Sequence, residues 1–414
     1  MKKGPGKRKA KNDSARLIEV CKGLPGIFKD RNRLSPRYMP PFLLHREEQL
    51  HALTNLFEDA LDRISETYLR TVQIIGGIGV GKTSIALRFG AGFQEKARAR
   101  KIDLVYVYIN LKLQNSGRVV LYRHLLEQGA PEIRATSLSA DEMLYQLVKY
   151  LTSRGKYLLL TLDEIGYYIR HTKGRIIYDL TRINELAPEK PCGVIGIIFI
   201  SRDKSFRTLL DASELSSLGR MTLEFPPYNV KQIHDILEDR VSEAFRRGTV
   251  SEEVLDYIAD VAARPPVNSD IRYALDLLLY AGNLAEEHGA DKVLPEHIRK
   301  VHGEIYHQIT SGDILELPDD ERLVLLGLAR ALRNRKTPYV AYKEVQECSG
   351  LVAEEHGTHI KSVDHLLQDL GDRGIVQIKS LTQIGIADIP TEGLIEYLNS
   401  LMERVETDFK GREK

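Results

Sequence analysis

The chain has 414 residues, 43% of them hydrophobic and 28% charged, with a formal net charge of +1. This length suits two to four domains with well-formed cores, and the near-neutral charge means that any nucleic-acid surface must be local. Cys21, Cys192 and Cys348 have no metal-ligand spacing, so we expect reduced thiols in an intracellular protein. No apolar run approaches the ~20 residues that span a membrane, and no secretory signal is present. We therefore predict a cytoplasmic protein without a membrane partner.

The first residues are strongly basic. Positions 1–13 hold six cationic side chains, with two glycines and a proline: Lys2, Lys3, Lys7, Arg8, Lys9 and Lys11. This composition predicts a disordered tail that either grips phosphates loosely or is simply solvated. We assign residues 1–35 to this tail and its lead-in.

Residues 36–225 alternate between helix-like and strand-like patterns. An amphipathic helix is predicted from His45 to Ile64, and further helical segments lie between strand-like runs at 71–75, 103–109, 157–162 and 194–200. Near-continuous apolar strands separated by helices indicate an α/β fold with a parallel sheet covered on both faces.

A glycine-rich segment, Gly76-Gly77-Ile78-Gly79-Val80-Gly81-Lys82-Thr83, follows the first strand and precedes a helix. It fits G-x-x-x-x-G-K-[ST], in which backbone N–H groups face a phosphate chain at a helix N-terminus. Lys82 would reach the β- and γ-phosphates, and the Thr83 hydroxyl would ligate Mg²⁺. The strand–loop–helix context argues against a chance glycine-rich turn. We predict that ATP or ADP with Mg²⁺ binds Gly77, Ile78, Gly79, Val80, Gly81, Lys82, Thr83 and Ser84.

Two other strands end in polar residues that suit the same site. Asp163 and Glu164 follow an apolar strand roughly 80 residues after the glycine-rich loop. Asp163 would hold Mg²⁺, and Glu164 would orient and polarise the attacking water. Ser201 or Arg202, at the next strand end, could touch the γ-phosphate, because ligands gather at the carboxyl ends of parallel strands. An ordinary loop start is the alternative for this last pair.

Residues 226–305 contain only helical patterns, over 230–247, 252–263 and 271–287. Ser269 or Asp270 would cap the third helix, which places Arg272 in its first turn. There an arginine could reach across to a transferring phosphoryl group. The alternative for Arg272 is a solvated surface residue.

Residues 306–414 read as three helices and a β-hairpin, which is the winged variant of helix-turn-helix. The helices are predicted at 319–332, 339–349 and 358–370, and the strands at 375–378 and 385–389. Winged helices also bind proteins, and Asp364 and Asp369 oppose DNA contact. Groove and phosphate contacts are predicted for Arg335, Lys336, Thr358, His359, Lys361, Ser362, His365 and Lys379.

Together these residues resemble the archaeal origin-recognition and replication-initiation ATPases of the AAA+ class, relatives of the eukaryotic origin recognition complex and its Cdc partner. The resemblance covers roughly residues 36–400, and its phosphate loop and Asp163-Glu164 are the two Walker motifs. Tyr38-Met39-Pro40 with His45-Arg46-Glu47 resembles the family's approach to the adenine pocket. The remaining matching stretches are Tyr106 to Asn110, Phe225-Pro226-Pro227-Tyr228 with Ile236-Leu237 and Arg240, and Asp270 to Asp276.

The resemblance implies a fold and a function. It implies an AAA+ core, a helical lid with Arg272 as the sensor arginine, and nucleotide contacts from Tyr228 and Arg272. It also implies a DNA-binding insertion at 115–123, with Arg118 on the phosphates. The implied protein is an ATP-dependent initiator that binds origin duplex DNA, works with paralogous initiators and recruits a replicative helicase.

Two departures from the family pattern predict slow turnover. Arg202 stands where the family usually has Asn, and a guanidinium cannot accept a hydrogen bond from water. The arginine finger is not clear, because a gapless count places Ser213 there, with Arg207 and Arg220 as displaced candidates. The nucleotide is therefore expected to act as a switch. A P-loop transcription regulator or signalling ATPase, and a transposition-type AAA+ helper, remain alternative functions.

Overall fold

The computed structural model describes residues 26–64, 68–113, 117–172, 175–186, 193–306, 309–333, 335–386 and 389–412. The basic segment at 1–13 lies outside these residues. The chain divides into two compact units, Met39–Gln232 and a second unit formed by the residues up to Tyr38 together with those from Ile233 onward. Within the described ranges, no helix combines the length and the apolar character that crossing a bilayer requires.

The first unit is built on a parallel sheet, which confirms the α/β prediction. In the part of the chain that the structure describes, five parallel strands lie in the order β2-β3-β4-β1-β5. Their bounds are β1 Arg70–Gly76, β2 Leu104–Asn110, β3 Tyr157–Asp163, β4 Val194–Ser201 and β5 Thr222–Phe225. The short edge strand β5 was not predicted, because only Phe225 of its four residues is buried and no apolar run marks it.

Helices cover both faces of this sheet. Successive residues of β3 alternate between two apolar cores, with Leu158 and Leu160 in one and Leu159 in the other. The helix predicted from His45 to Ile64 is shorter in the structure and ends at Glu58, followed by a 3-10 turn. The helices are α1 Glu47–Glu58, α2 Lys82–Ala99, α3 Arg118–Gly129, α4 Ala140–Arg154, α5 Ile165–His171, α6 Ile176–Thr181 and α7 Ala212–Leu218.

The chain then continues through helices α8 Val230–Ala244, α9 Glu252–Ala263, α10 Ile271–Glu287 and α11 Pro295–Ile305. The last of these was not predicted; it starts with proline at its first position, where the missing N–H costs nothing. The lead-in segment packs against these helices, with the Phe28 and Phe245 ring centroids 4.5 Å apart. Gly282 gives the Phe28 ring room, since a Cβ there would collide with it.

The C-terminal part has the element order of a winged helix. Its elements are α12 Ser311–Leu315, α13 Asp319–Leu332, α14 Tyr342–Glu355, α15 Val363–Asp372, β6 Gln377–Ser380, β7 Gln383–Gly385 and α16 Thr391–Arg412. Strands β6 and β7 pair antiparallel, and Val340 bridges to Ile384. Helices α13 to α16 and the hairpin share one apolar core.

The predicted bounds of several elements in this part need correction; the helix expected at 339–349, for example, spans Tyr342–Glu355. The helix expected from Thr358 begins at Val363, because Gly357 turns the chain at φ 64°, Ile360 is buried and Ser362 caps the helix. The first wing strand begins at Gln377 instead of Ile375, and the second ends at Gly385. Ile375 is buried, and its N–H donates to the Leu370 carbonyl, so it closes α15 and not the wing.

Candidate nucleotide-binding site

The glycine-rich loop lies between β1, which ends at Gly76, and α2, which begins at Lys82. Gly79 and Gly81 have φ of 69° and 88°, a left-handed conformation that glycine adopts without strain. The Lys82 ammonium donates to the Gly77 carbonyl across the loop. This is the geometry of a phosphate cradle, with a curled backbone in front of a helix N-terminus and an ammonium beside it. Ile78 is exposed, Val80 is buried, and Ser84 lies in the first turn of α2.

The ends of β1, β3 and β4 meet at one edge of the sheet, as parallel strands require. The Thr83 hydroxyl donates to Asp163 Oδ2 over 2.7 Å, and the Tyr108 hydroxyl donates to the same oxygen over 2.8 Å. Asp163 is 4% exposed. Burial, with the Asp163 charge adding to it, raises the pKa of Tyr108, so this phenol stays a donor. Sequence reasoning missed Tyr108, although a polar ring on an apolar central strand was a usable signal.

The donors at this edge fit a magnesium ion that is shared with nucleotide phosphates. Mg²⁺ favours oxygen ligands and usually takes one or two from the protein, with water and phosphate completing the octahedron. Thr83 and Asp163 are such a pair. No larger group of His, Cys, Asp and Glu able to hold a metal occurs among the described residues.

Glu164 follows Asp163 in a left-handed conformation at φ 60°, and its N–H donates to Asp163 Oδ1 over 2.8 Å. Both of its carboxylate oxygens accept hydrogen bonds from Arg202. The distances are 3.2 Å from Nη2 and 3.4 Å from Nε to Oε1, and 3.3 Å from Nε to Oε2. The structure thus brings two of the three predicted catalytic residues, Glu164 and Arg202, together as an ion pair.

Arg46 closes the outer side of the phosphate loop. It is 2% exposed. Its Nε donates to the Val80 carbonyl over 2.9 Å, and its Nη2 donates to the Pro226 carbonyl over 2.7 Å. The guanidinium lies 3.8 Å from the Tyr228 ring centroid. Burial lowers the pKa of Arg46 and raises that of Tyr228, the nearby cation opposing the rise. In the sequence, Arg46 stands out only as part of the stretch that resembles the family's approach to the adenine pocket.

The other predicted arginines are divided between the two units. Arg272 lies in the second unit, exposed in the first turn of α10 behind the Asp270 cap. In the first unit, Arg207 is held by Gln73 Oε1 at 2.6 Å and by the Thr222 hydroxyl at 2.8 Å. Arg220 is exposed, so of the two displaced finger candidates it is the one with an outward-facing position.

The predicted DNA-contacting residues fall into two groups. Thr358, His359, Lys361 and Ser362 are exposed in the turn before α15, as is Lys336 in the loop after α13. The remaining cations are paired with carboxylates. Arg118 contacts Asp141 at 3.0 Å and Asp179 at 3.1 Å, Arg335 pairs with Glu344, and Lys379 pairs with Asp260. His365 contacts Asp369 at 2.9 Å. Asn115 and Ser116, in the proposed insertion, lie outside the described residues.

Helices α9 and α11 are joined to the C-terminal part of the second unit by buried polar contacts. Arg299, 1% exposed, donates from Nε to the Ile386 carbonyl and from Nη2 to the Pro338 carbonyl, both over 2.8 Å. The Tyr257 hydroxyl donates to the same Ile386 carbonyl over 3.1 Å. Asp260 accepts from the Tyr339 hydroxyl over 3.1 Å and from Lys379.

Comparison with known proteins identifies the family. The model of the Cdc6 AAA+ ATPase-type lid domain matches residues 234–303. An ORC1-type DNA replication protein of Thermococcus kodakarensis is 31% identical over 367 residues, which cover 86% of this chain and 85% of that protein. One from Methanosarcina mazei is 33% identical, with 77% and 74% covered.

Comparison with solved structures points to the same family. The crystal structure of Cdc6p from Pyrobaculum aerophilum matches with a TM-score of 0.81 and 27% identity, covering 92% of this chain and 99% of that one. The Aeropyrum pernix ORC1 protein, solved in complex with DNA, matches with a TM-score of 0.60 and 27% identity over 94% and 100% of the two chains. Nucleotide binding fits both the phosphate loop and the ATPase-type family description. The chain belongs to the family of ORC1-type DNA replication proteins.

Proposed function

We propose that this protein is an ATP-dependent replication initiator that binds origin duplex DNA, with ATP and ADP as the two states of a conformational switch. The observation that carries the proposal is the convergence of Lys82, Thr83, Asp163 and Glu164 at one sheet edge, in a chain of the DNA replication family. A relative at 27% identity was solved with DNA, which supports duplex DNA as the ligand. Paralogous initiators and a replicative helicase are the proposed partners, in the nucleoid of the cytoplasm.

The nucleotide chemistry follows from the residues at this edge. The loop N–H groups and Lys82 would bind the phosphate chain, and Thr83 and Asp163 would hold Mg²⁺. When bound, the ion would neutralise charge on the β- and γ-phosphates. Tyr108 keeps the Asp163 carboxylate oriented through its hydrogen bond. Glu164 would align the attacking water as general base.

Slow hydrolysis is part of the proposal. A general base accepts a hydrogen bond from the attacking water, and here that water would share both Glu164 oxygens with the Arg202 guanidinium, which lowers their basicity. A nucleotide γ-phosphate would compete for the guanidinium, yet an Arg released in this way still cannot accept a hydrogen bond from water. The slow step suits a switch better than a motor.

The assignments from the family resemblance are also part of the proposal. These are the division of the chain at 35/36, 225/226 and 305/306, and a phosphate-sensing role for Arg272. Duplex contacts would come from the exposed turn before α15 and from Lys336. Lys379, Arg335 and Arg118 would first have to leave their carboxylate partners. Two contact elements on one chain would distort the duplex, so part of the specificity would be indirect.

The test is a binding titration with three proteins at fixed salt: the wild type, Lys82→Ala and the double variant His359→Ala/Lys361→Ala. Each is titrated with the source organism's origin duplex, with a scrambled duplex and with ADP. The wild type should prefer the origin by about 1,000-fold. Lys82→Ala should lose at least about 100-fold in ADP affinity while keeping DNA binding, and the double variant should lose about tenfold on the origin with ADP binding intact.

Each arm can fail separately. Equal affinity for both duplexes would contradict origin binding and favour the helper with sequence-blind DNA affinity. Unchanged DNA affinity in the double variant would show that residues other than His359 and Lys361 contact the duplex. Loss of DNA binding with ADP retained in Lys82→Ala would overturn the assignment of the phosphate loop.

A further inference from the structure

Arg46 is a buried cation directly behind the phosphate loop, and it is not itself one of the residues predicted to contact the nucleotide. The guanidinium contacts backbone carbonyls and aromatic rings; burial lowers its pKa, and the nearby Glu47 carboxylate acts to raise it. Nε and Nη2 donate to Val80 and Pro226, Nη1 donates to the His45 carbonyl over 3.1 Å, and the rings belong to Phe225 and Tyr228. Burying a guanidinium carries a desolvation cost, which these hydrogen bonds offset.

The hydrogen bond to Val80 has a geometric consequence for the loop. A trans peptide is planar, so its C=O and the following N–H point in opposite directions. Arg46 draws the Val80 carbonyl to the outer side of the loop, and the Gly81 N–H must then face the inner side, where a phosphate would bind. Because Gly81 begins α2 as its cap, this N–H is one of the free donors of the helix N-terminus.

The packing around Gly81 shows that this arrangement is tight. A Cβ on Gly81 would lie 3.0 Å from the Tyr228 hydroxyl and 3.8 Å from Arg46 Cγ. The Val80 side chain is 1% exposed, so the peptide cannot rotate without moving a buried group. Arg46 also holds the Pro226 carbonyl, in the segment that follows β5. One side chain therefore fixes the phosphate loop and the segment that carries Tyr228.

We infer that Arg46 is the positioning residue of the nucleotide site: it holds the Val80–Gly81 peptide with its N–H toward the phosphates and joins the loop to the Pro226–Tyr228 segment. This inference rests on the proposed nucleotide binding and deepens it. It assigns to Arg46 a share of phosphate affinity, although its guanidinium lies on the opposite side of the loop from the ligand.

The test compares Arg46→Gln with a matched control, Arg240→Gln. Arg240 is also buried, at 7% exposed, and also lies over a tyrosine, 4.9 Å from the Tyr38 ring centroid, but in the second unit. Affinities for ADP and for inorganic pyrophosphate are measured by calorimetry at a temperature where circular dichroism shows each variant folded. Arg46→Gln should lose about tenfold or more for both ligands, by the same factor, and Arg240→Gln should stay within about twofold of the wild type.

Pyrophosphate has the phosphates of ADP but no adenine, so the measurement with pyrophosphate distinguishes positioning of the phosphate loop from an effect on adenine binding. If ADP affinity falls and pyrophosphate affinity does not, Arg46 acts through Tyr228 on the adenine base of the nucleotide, and the inference is wrong. If both variants lose affinity equally, the effect is general loss of stability, and the inference is again wrong. Should Arg46→Gln not fold, Arg46→Lys keeps the charge but donates from a single nitrogen, and it should show an intermediate loss for both ligands.

The proposed function and this inference fail differently. A wild-type protein that binds neither ligand contradicts the proposed function itself. A wild type that binds both, with Lys82→Ala that binds neither and Arg46→Gln unchanged, contradicts the role of Arg46 alone. In nuclear magnetic resonance spectra, the Gly81 amide should shift in Arg46→Gln without ligand, and no such shift is expected in Arg240→Gln.

Discussion

Arg46 in the first unit and Arg299 in the second are used in similar ways with different consequences. They are 2% and 1% exposed, and each donates to two backbone carbonyls from distant parts of the chain. Arg299 also donates to the Glu296 carboxylate over 3.0 Å, whereas Arg46 faces the Tyr228 ring. A carboxylate partner neutralises the buried cation, while an aromatic partner leaves its charge intact.

This difference in partners gives Arg299 a structural role and Arg46 a role in ligand binding. With its charge balanced, Arg299 fixes α11 to the segments before Val340 and after β7, and it needs no further ligand. Arg46 makes its hydrogen bonds to backbone carbonyls behind a loop that must attract an anionic phosphate chain. The same residue type is therefore expected to affect stability in one unit and ligand affinity in the other.

Replacing Arg299 with Met should have the largest effect on stability. The Pro338 carbonyl would lose its buried donor, the Ile386 carbonyl would keep only the Tyr257 hydroxyl, and Glu296 would lose its cation. We expect a cost of about 3 kcal/mol in the free energy of unfolding. Hydrogen exchange followed by mass spectrometry should show lost protection in α9, α11 and β7. ADP affinity should stay within about twofold of the wild type. A loss of affinity as large as that of Arg46→Gln would remove the distinction between the two arginines.

Replacing Arg202 with Asn should change turnover without changing stability. Both Glu164 oxygens would be released, and an amide that can accept a hydrogen bond would stand in the family's usual place. We expect ATP hydrolysis to rise by about five- to tenfold, which is on the order of 1 kcal/mol in the barrier. The measurement is steady-state phosphate release with saturating ATP.

Arg170→Asn is the matched control for Arg202→Asn. Arg170 and Arg202 are equally exposed, at 41% each, and Arg170 is also paired with a carboxylate, Asp203 at 3.3 Å. Its replacement should leave turnover unchanged. The double variant Arg202→Asn/Glu164→Gln should be slower than the wild type; if it keeps the faster rate, Glu164 is not the base that Arg202 restrains.

Sequence reasoning worked best where chemistry and local structure coincide. Strand, glycine loop and helix are contiguous around Lys82, and the strand β3 leads directly to Asp163, so the site could be placed from residue spacing alone. Local patterns could not reveal partners distant in the chain. Nothing near Lys379 predicts its pairing with Asp260, and nothing near Arg46 predicts a hydrogen bond to Val80.

The prediction that a helix starts at Thr358 was wrong for a related reason. Thr358 to Lys361 are compatible with a helix by composition, but Ile360 turns into the core and Ser362 supplies the cap that starts α15 at Val363. Burial of Ile360, together with the Gly357 turn and the Ser362 cap, therefore sets the start of α15. The exposure of His359 and Lys361 in the preceding turn still leaves them available to a duplex.

The smallest expected effect concerns the pairing of Lys379 with Asp260, which links the wing to α9. The Lys379 side chain is 22% exposed, and burial lowers the pKa of its ammonium. Asp260→Asn would keep an acceptor for the Tyr339 hydroxyl and remove the carboxylate paired with Lys379, leaving the weaker attraction of Asp256. The released ammonium could then neutralise one DNA phosphate. Origin affinity should rise about threefold, and the slope of log affinity against log salt should steepen by about 0.9.

The control for this effect is the same substitution in a Lys379→Gln background. There Asp260→Asn should change neither affinity nor salt slope, because no ammonium remains to be released. If origin affinity still rises in the absence of Lys379, Asp260 acts by repelling DNA from α9 and not by pairing with Lys379. The salt slope distinguishes the two cases, since one additional ion pair with a phosphate displaces about one counterion.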